Sequence, residues 1–407
     1  MAENNSISKS LTFAKENFLP QEEMLEIKQK NTELVIGIPK ESNETENRIC
    51  LTPLNVELLV NSGHKVLIQS KAGESINFTD LDYANAGGII IDNLQEILRS
   101  DIVLKVSPFT DAEIDCLKGD QLIMSPINIV SQEEEYFRKL MQKKLSAISF
   151  EYLKDRNNIH PILRSMSEIV GSTSILIASE YLSNEHKGIG KMLGGITGVN
   201  PTEIVIIGAG IAGEYAAKTA IGLGALVKIF DNSFLKLENL QNNLKHPIFT
   251  SVLQENILAN TLRTADVVIG AINPSVSNKE FIVSEEMVKQ MKKGSVIVDI
   301  SIDQGGCFET SKLTDFNNPV YRKHGVIHYC VPNIASRVAR TASYALSNIL
   351  TPIILRIAEE GGIKNSLRID SGLRNGTYIY RGILTNYKIG KRFNIPTKDF
   401  DLIIAAL

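Results

Sequence analysis

The sequence predicts an α/β protein of two doubly wound domains, with the second domain inserted into the first. From residue 34 onward, short apolar runs rich in Val and Ile alternate with helical stretches, an order typical of parallel sheets covered by helices. A glycine-rich turn stands between two such runs at residues 202–231 and indicates a second sheet. A long apolar-periodic helix follows residue 339 and is expected to return the chain to the first domain.

The first domain is predicted from residues 34–165 together with residues 340–407. Residues 1–33 are polar and mixed in charge, and we interpret them as an N-terminal extension. One helix is predicted at residues 53–63, where proline opens and glycine closes the stretch, and another at residues 132–143. The predicted strands of this domain are residues 34–40, 65–69, 101–106, 121–124 and 146–152.

The second domain, residues 166–339, is predicted to open with a long helix rich in small residues and a glycine-rich loop at residues 187–201. A further long helix is predicted at residues 339–362, where paired glycines end it. Ligands of open α/β sheets lie beyond the carboxyl ends of the strands, so residues just after the strands are binding-site candidates. Besides the two strands around the glycine turn, the predicted strands are residues 265–271, 295–301 and 326–330.

Residues 202–231 carry the pattern of a dinucleotide site. Gly208 allows a tight turn after the strand, Gly210 lets backbone amides approach a pyrophosphate, and Gly213 lets the helix pack closely on the sheet. Asp231 ends the second strand, where a carboxylate hydrogen-bonds the adenosine ribose and repels a 2′-phosphate. The alternative is a plain structural turn, which the surrounding strand, helix and acid disfavour. We therefore predict a Rossmann domain that binds NAD rather than NADP.

The composition favours a small-molecule ligand. The chain has 407 residues, 43% of them hydrophobic, which suffices for two to three domains. Lys and Arg number 43 against 46 Asp and Glu, so no excess of basic charge indicates nucleic acid or an anionic membrane. The start lacks a secretory signal pattern and no apolar run is long enough for a membrane span, so we expect a cytoplasmic protein. The 4 Cys and 6 His are scattered without metal-ligand spacing, so we expect no metal.

Several motifs together resemble those of bacterial L-alanine dehydrogenases, over nearly all of residues 34–384. The related pyridine nucleotide transhydrogenase alpha subunits share the fold and the ENR-type loop, but they differ at IDQGG and are the weaker match. The motifs are IGIPKESNETENRICLTP, the VLKV strand, MSEIVG, LGGITGV, GSVIVDISIDQGGCFETS and IHYCVPNIASRVARTASYALSN. The resemblance implies a homo-oligomer, a hexamer or a dimer, that reversibly deaminates L-alanine to pyruvate and ammonia with NAD.

The resemblance also implies roles for individual residues. Arg48 matches the arginine that holds the substrate carboxylate, which suits a guanidinium, although a solvated surface arginine is the alternative. Lys105 matches the substrate-binding lysine, which with Arg48 polarises the carbonyl; from the residues alone it is a strand-edge charge or a functional group. Asp303 matches the aspartate that assists catalysis beside the nicotinamide. Asn333 is placed at the nicotinamide or substrate, and Ser167 at the cofactor.

One position departs from the family pattern. Alanine dehydrogenases carry a catalytic histidine after the fourth strand, whereas the corresponding stretch SPINIVSQ has no histidine and puts Asn128 at or next to this place. Asparagine can donate a hydrogen bond to a carbonyl oxygen but cannot exchange a proton near neutral pH. Three alternatives stay open. Another group such as His160 supplies the proton, the substrate is a different amino or keto acid, or the protein binds NAD(H) without turnover, like a transhydrogenase alpha subunit.

Overall fold

The computed structural model describes residues 33–272 and 280–405. The predicted N-terminal extension, except for its last residue, lies outside the described residues. The strands are β1 (Val35–Ile38), β2 (Lys65–Gln69), β3 (Ile89–Ile91), β4 (Ile102–Leu104), β5 (Leu122–Ser125), β6 (Ser146–Ser149), β7 (Glu203–Ile207), β8 (Leu226–Phe230), β9 (Phe249–Ser251), β10 (Val267–Gly270), β11 (Val296–Asp299), β12 (Val320–Lys323), β13 (Val326–Tyr329), β14 (Thr377–Tyr380) and β15 (Ile383–Leu384).

Helices connect these strands, and all the predicted helices are present. The long helix before the glycine turn begins earlier than expected, because Pro161 occupies its first turn, where a missing N–H costs nothing. The α-helices are α1 (Pro53–Asn61), α2 (Asp80–Asn85), α3 (Leu94–Leu98), α4 (Asp111–Cys116), α5 (Glu134–Gln142), α6 (Pro161–Leu182), α7 (Ile211–Gly222), α8 (Phe234–Leu244), α9 (Glu255–Leu262), α10 (Glu285–Lys289), α11 (Ala339–Glu359), α12 (Ile363–Ile369), α13 (Ser371–Gly376), α14 (Tyr387–Phe393) and α15 (Phe400–Ala405).

The first sheet has eight strands in the order β15-β14-β6-β5-β4-β1-β2-β3. From β6 to β3 all neighbours are parallel, whereas β14 and β15 add an antiparallel edge. After β1 the chain moves outward to β2 and β3 and then crosses back to β4. The strand order therefore reverses between β1 and β4, and such a reversal opens a crevice at the carboxyl ends of the two strands.

The second sheet has seven strands in the order β12-β13-β11-β10-β7-β8-β9, all parallel except β12. Here the order reverses between β7 and β10, which creates the second crevice beside the glycine turn. The prediction of two doubly wound α/β domains is confirmed. Strands β14 and β15 also show that C-terminal residues join the first sheet, while the exact domain boundaries stay a prediction.

One helix, α6, belongs to the cores of both domains. Ile162 near its start packs in the core of the first domain, and Ile175 further along packs in the core of the second. Helix α6 lies so close to α7 that a Cβ on Gly171 would come within 2.2 Å of the Ala212 carbonyl oxygen. The central strands β7, β10 and β11 carry continuous apolar runs, because helices cover both faces of the sheet. The two domains therefore share this helix.

Within the described ranges, no helix is both long and apolar enough to cross a membrane. The same residues contain no group of His, Cys, Asp and Glu side chains arranged to hold a metal ion.

Candidate active site

The candidate residues follow strands that border the two crevices or lie next to such strands. In the first sheet, Arg48 comes after β1, Lys105 directly after β4 and Asn128 after β5. In the second sheet, Gly208 directly follows β7 and Asp303 follows β11. Neighbouring parallel strands end at the same edge of a sheet, so each set of residues shares one edge. Contacts between the Arg48 loop and the segment after β13 join the two sets.

Arg48 is held in one orientation by a carboxylate two residues before it. Its Nε and Nη2 donate to Glu46 at 2.7 and 2.6 Å, the paired geometry that suits guanidinium and carboxylate. Its Nη1 contacts the Met166 sulfur of α6 at 3.4 Å. The pair is largely buried, with side-chain exposures of 13% for Arg48 and 4% for Glu46. Burial acts to raise the pKa of Glu46, but the hydrogen bonds and charge of Arg48 outweigh it and lower that pKa, so the carboxylate stays ionised.

Glu46 also joins the Arg48 loop to the second domain. Asn333 Nδ2 donates to Glu46 Oε2 at 2.9 Å. Asn333 has a left-handed backbone with φ 57°, which asparagine tolerates better than most residues, and it precedes the 3-10 helix Ile334–Val338. The structure thus brings Arg48 and Asn333 together through Glu46. Sequence reasoning missed Glu46, although the ENR-type loop contained the acid two residues before the arginine as a signal.

Hydroxyl groups near the start of α11 hold the backbone of the same loop. The N–H groups of residues 47, 49 and 52 donate to the hydroxyls of Ser336, Ser343 and Ser347 at 2.8, 2.9 and 3.0 Å. Ser343 and Ser347 are four positions apart and therefore lie on one face of α11. These bonds satisfy loop N–H groups that have no strand partner. They fix the course of the loop and hence the point from which the Arg48 side chain projects.

Lys105 is wholly buried at the end of β4. Its ammonium donates to Glu113 Oε2 at 2.7 Å, to Ser42 Oγ at 2.9 Å and to the Pro108 carbonyl oxygen at 3.3 Å. Because an ammonium has three N–H groups, these acceptors account for all of them. The structure therefore does not bring the Lys105 ammonium to the crevice surface, where its predicted substrate contact would be made.

Asn128 lies on the loop after β5 and is exposed, with a left-handed backbone of φ 49°. Its N–H donates to Glu151 Oε1 at 3.0 Å, and the Ile127 N–H donates to Glu151 Oε2 at 3.3 Å. A carboxylate beyond β6 thus fixes the position of the loop. His160 Nδ1 lies 3.0 Å from the Leu153 carbonyl oxygen, and the His160 side chain shares with Glu151 the lining of an open groove of about 930 Å³.

Asp299 at the end of β11 and Asp303 just beyond it occupy different environments. Asp303 lies on the 3-10 helix Ile302–Gln304 and its side chain is exposed. The surrounding protein nevertheless partly desolvates its carboxylate, which raises the pKa of Asp303. Asp299 is fully buried and accepts the N–H groups of Ser301 at 3.1 Å and Cys307 at 2.8 Å. Burial raises the pKa of Asp299 to about 6. Asp299 thus holds the turn on which Asp303 stands.

Three glycines shape the turn between β7 and α7. Gly208 has φ +118°, and a Cβ on it would lie 2.4 Å from the Ala271 carbonyl oxygen. A Cβ on Gly213 would lie 1.9 Å from the Gly208 carbonyl oxygen, whereas a Cβ on Gly210 would meet nothing within 4 Å. Gly210 is the N-cap of α7, where unpaired N–H groups and the helix dipole favour an anion. The turn therefore has the shape, and at Gly210 the space, that a pyrophosphate needs.

Asp231 directly follows β8 and is bonded to the same turn. Its Oδ2 accepts the Ala209 N–H at 2.8 Å, and its Oδ1 accepts the Ser233 N–H at 2.8 Å. Each carboxylate oxygen has a second acceptor site, so these bonds leave capacity for ribose hydroxyls. Beyond Asp231, a cavity of about 360 Å³ opens between Asn232 and Leu253. Carboxylate and cavity together have the form of an adenosine site.

Ser167 lies on α6 one helical turn before Gly171, the point at which α6 touches α7. Residues four apart share a face of a helix, so Ser167 lies on the face of α6 that approaches the glycine turn. Its predicted proximity to the cofactor accords with this placement, while the contact itself stays a prediction.

Two family comparisons cover both domains. The alanine dehydrogenase/PNT N-terminal domain matches residues 37–170, and the C-terminal domain matches residues 174–387. An alanine dehydrogenase of Methanococcus maripaludis is 37% identical over 365 residues, covering 89% of this chain and 97% of that protein. An alanine dehydrogenase of Staphylococcus saprophyticus is 36% identical over 369 residues, covering 90% and 99% respectively.

Solved structures agree with these sequence matches. An L-alanine dehydrogenase superposes with a TM-score of 0.82 at 34% identity and covers 89% of this chain and 99% of its own. A transhydrogenase from Sinorhizobium meliloti superposes with a TM-score of 0.72 at 21% identity, covering 87% and 99%, and supports the fold alone. The resemblance inferred from the motifs is confirmed: this chain belongs to the alanine dehydrogenase/PNT family.

Proposed function

We propose that the protein catalyses the reversible, NAD-dependent oxidative deamination of L-alanine to pyruvate and ammonia. The observation that carries this proposal is the fixed orientation of Arg48. Contacts to Glu46 and Met166 use three of the five N–H groups of its guanidinium. One N–H on Nη1 and one on Nη2 are left without an acceptor among the described residues. This outer edge is the fork that binds a carboxylate in two parallel hydrogen bonds.

The second crevice supplies the cofactor site in this proposal. The α7 N-terminus at Gly210 binds the pyrophosphate, and Asp231 accepts hydrogen bonds from the adenosine ribose. Gly208 and Gly213, which pack closely against neighbouring backbone, fix the shape of this turn. Ser167 approaches the turn from α6. When bound, the nicotinamide accepts the hydride that leaves the substrate Cα. A 2′-phosphate would meet the Asp231 carboxylate, which is why we propose NAD rather than NADP.

Residues of both crevices then surround the reacting carbon. Arg48 binds the substrate carboxylate, and Asn333 is linked to Arg48 because both donate hydrogen bonds to Glu46. Asp303 faces the substrate amine from the second domain. An ionised Asp303 stabilises the positive charge that develops on the amino nitrogen as hydride leaves. Lys105 acts indirectly in this scheme, because its ammonium is committed to other groups. Orientation of this kind supplies a large part of enzymatic rate enhancement.

A second candidate function is NAD(H) binding without turnover, and the observation that favours it is Asn128. Asparagine can orient a carbonyl oxygen but transfers no proton, and positioned acid–base catalysis is worth about 10²–10⁴-fold. Under this alternative, the nucleotide site described above binds NADH, and no amino acid or keto acid is converted.

An absorbance assay of NADH formation from L-alanine and NAD tests the proposal. The wild-type protein should produce NADH in proportion to L-alanine, and Arg48→Lys should raise the KM for L-alanine by about 10–100-fold because the carboxylate fork is lost. Arg138→Lys, which alters an exposed ion pair between Arg138 and Glu134 within α5, is the matched control and should behave as wild type. NADH binding without any turnover would favour the second candidate instead.

The homo-oligomeric state and the cytoplasmic location are also proposals. Light scattering on the full-length chain distinguishes a monomer from the dimer or hexamer that we expect.

A further inference from the structure

We propose that Glu41 and Ser107 form the proton-exchanging group of this site, with the Ser107 hydroxyl contacting substrate and Glu41 taking or giving the proton through it. We call these two residues the Glu41–Ser107 pair. The inference rests on the proposed function, because it assigns the acid–base step of that reaction. The pair would supply the proton exchange that Asn128 cannot, since asparagine, unlike the imidazole that the family pattern has here, exchanges no proton near neutral pH.

The first support is the geometry of the pair. Ser107 Oγ donates a hydrogen bond to Glu41 Oε2. The Ser107 N–H also donates to Oε2, at 3.2 Å, and the Val106 N–H donates to Oε1 at 2.6 Å. Both carboxylate oxygens therefore bind the segment that continues β4. A hydroxyl already bonded to a carboxylate can pass a proton to it without any rearrangement of heavy atoms.

The second support is where the pair lies. Glu41 follows β1 and Ser107 follows β4, the two strands between which the first sheet reverses its order. The Arg48 loop also follows β1, and Asn128 follows β5 on the other side of β4. Ser107 thus stands at the edge of the sheet between the strand that carries the carboxylate-binding arginine and the strand that carries Asn128. A substrate held by Arg48 has its reacting carbon over this edge.

The third support is electrostatic. Burial raises the pKa of Glu41 to about 7, and the nearby Glu46 carboxylate adds to the rise, while the hydrogen bond from Ser107 and the charge of Lys105 act against it. Both protonation states are therefore present at neutral pH, which suits a group that must act as base in one direction and acid in the other.

Few other titratable groups face this carboxyl. On its own loop they are Glu46, with Arg48 beyond it, and the Cys50 thiol. Burial raises the pKa of Cys50 well above its usual value, so this thiol stays neutral. From the end of β4 the facing group is Lys105, whose charge is shared with Glu113 of α4.

The structure also explains why Lys105 is not the acid or base. Its ammonium is wholly buried and has three hydrogen-bond acceptors, among them the Glu113 carboxylate at 2.7 Å. Transfer of its proton would leave Glu113 as a buried carboxylate without its counter-charge, which is costly. Lys105 instead acts on the pair as a fixed positive charge that keeps the Glu41 pKa from rising further.

The proton transfers balance as follows. After hydride has left Cα, water attacks the iminium carbon, and the π electrons of the C=N bond return to nitrogen. As the new C–O bond forms, a proton of the water passes to Ser107 Oγ while the Ser107 proton passes to Glu41. Neutral Glu41 then returns a proton by the same route to the nitrogen, whose C–N bond breaks to release ammonia. The remaining hydroxyl proton goes back to Glu41 as the carbonyl of pyruvate forms, and its release to solvent regenerates the ionised carboxylate.

The test is the pH dependence of kcat/KM for L-alanine, expressed per neutral-amine form of the substrate. The wild type should lose activity tenfold per pH unit below about 7, because protonated Glu41 accepts no proton. Glu41→Gln and Ser107→Ala should lower kcat/KM by about 10²–10⁴-fold and abolish this acid limb. Ser107→Thr keeps the hydroxyl and should restore the limb. Glu44→Gln, an exposed change in the same loop, is the matched control and should retain the wild-type profile.

Two further measurements separate a catalytic effect from misfolding. NADH affinity reports the second domain and should be the same in Glu41→Gln and wild type. In protein labelled with ¹³C-glutamate, infrared spectroscopy should show a carboxyl band that titrates near neutral pH and disappears in Glu41→Gln.

The proposal is overturned if an acid limb persists in folded Glu41→Gln or Ser107→Ala protein, or if no such band titrates. If the wild type binds NADH but converts substrate in neither direction, the proposed function itself fails, whatever the infrared spectrum shows.

Discussion

Replacement of Glu46 by glutamine tests the claim that a buried ion pair sets the orientation of Arg48. Four donors converge on the two Glu46 oxygens. Oε1 accepts from the backbone N–H and the Nε of Arg48, and Oε2 accepts from Arg48 Nη2 and Asn333 Nδ2. A glutamine has one oxygen and one NH₂ group, so whichever way it turns, two of these donors face another donor.

The expected loss of unfolding free energy follows from the burial of the Arg48–Glu46 pair. Removing the charge of one partner in a buried pair typically costs about 3–5 kcal/mol of unfolding free energy, because the other charge stays buried without compensation. With side-chain exposures of 13% and 4%, this pair belongs to that class rather than to surface pairs worth about 0–1 kcal/mol. We therefore expect Glu46→Gln to lower the free energy of unfolding by about 3–5 kcal/mol and to raise the KM for L-alanine.

Urea denaturation followed by circular dichroism measures the first effect, and initial-rate kinetics measure the second. Glu44→Gln serves as the matched control, because Glu44 lies in the same loop but is exposed. If Glu46→Gln unfolds at the same urea concentration as the control and keeps the wild-type KM, the ion pair does not orient Arg48.

Three further substitutions test other parts of the site. Asp231→Ala should weaken NADH binding and reduce discrimination against NADPH in fluorescence titrations, since the ribose acceptor and its charge are removed; equal affinities in mutant and wild type would exclude the ribose role. Asn128→His should leave kcat close to the wild-type value, because the Glu41–Ser107 pair already exchanges the proton; a rise of about 10²–10⁴-fold would mean instead that the missing imidazole limits the rate. Gly213→Ala should abolish NADH binding and lower the melting temperature, because its Cβ would lie 1.9 Å from the Gly208 carbonyl oxygen. Gly222→Ala on the same helix has open space around it and is the control.

The central parallel strands were predictable, because burial on both faces of a sheet favours continuous apolar runs, as in β7, β10 and β11. The short parallel edge strands β3 and β9 were not predicted. The antiparallel edges β12 and β14–β15 were not predicted. These strands are short, and β14 pairs with β6, which lies more than 200 positions away, whereas β12 and β15 each pair with a strand next to them in the chain.

Short helices were missed even where a local signal existed. Helix α4 begins with a capping box in which Thr110 and Glu113 exchange side-chain and backbone bonds, and α2 begins in the same way at Thr79 and Asp82. The T-x-x-D/E spacing is visible in the sequence. These helices have only six residues each, too few to establish an apolar period.

Site residues were predictable from the sequence only where the residues that act together lie close together in the chain. The glycine turn and Asp231 lie within one βαβ unit, so spacing alone was informative. The sequence indicated that a buried Lys105 needs a partner, but only the fold identifies Glu113, which also caps α4. The contact between Glu46 and Asn333 joins distant segments and has no signature in either one.

The central claim is most directly tested by following ¹⁵N-ammonium, pyruvate and NADH with the wild-type protein in an NMR tube. We expect ¹⁵N-labelled L-alanine to form in step with NADH oxidation, and we expect Arg48→Lys to slow both equally at low pyruvate. Oxidation of NADH without labelled alanine, or binding of NADH with neither product, would contradict it.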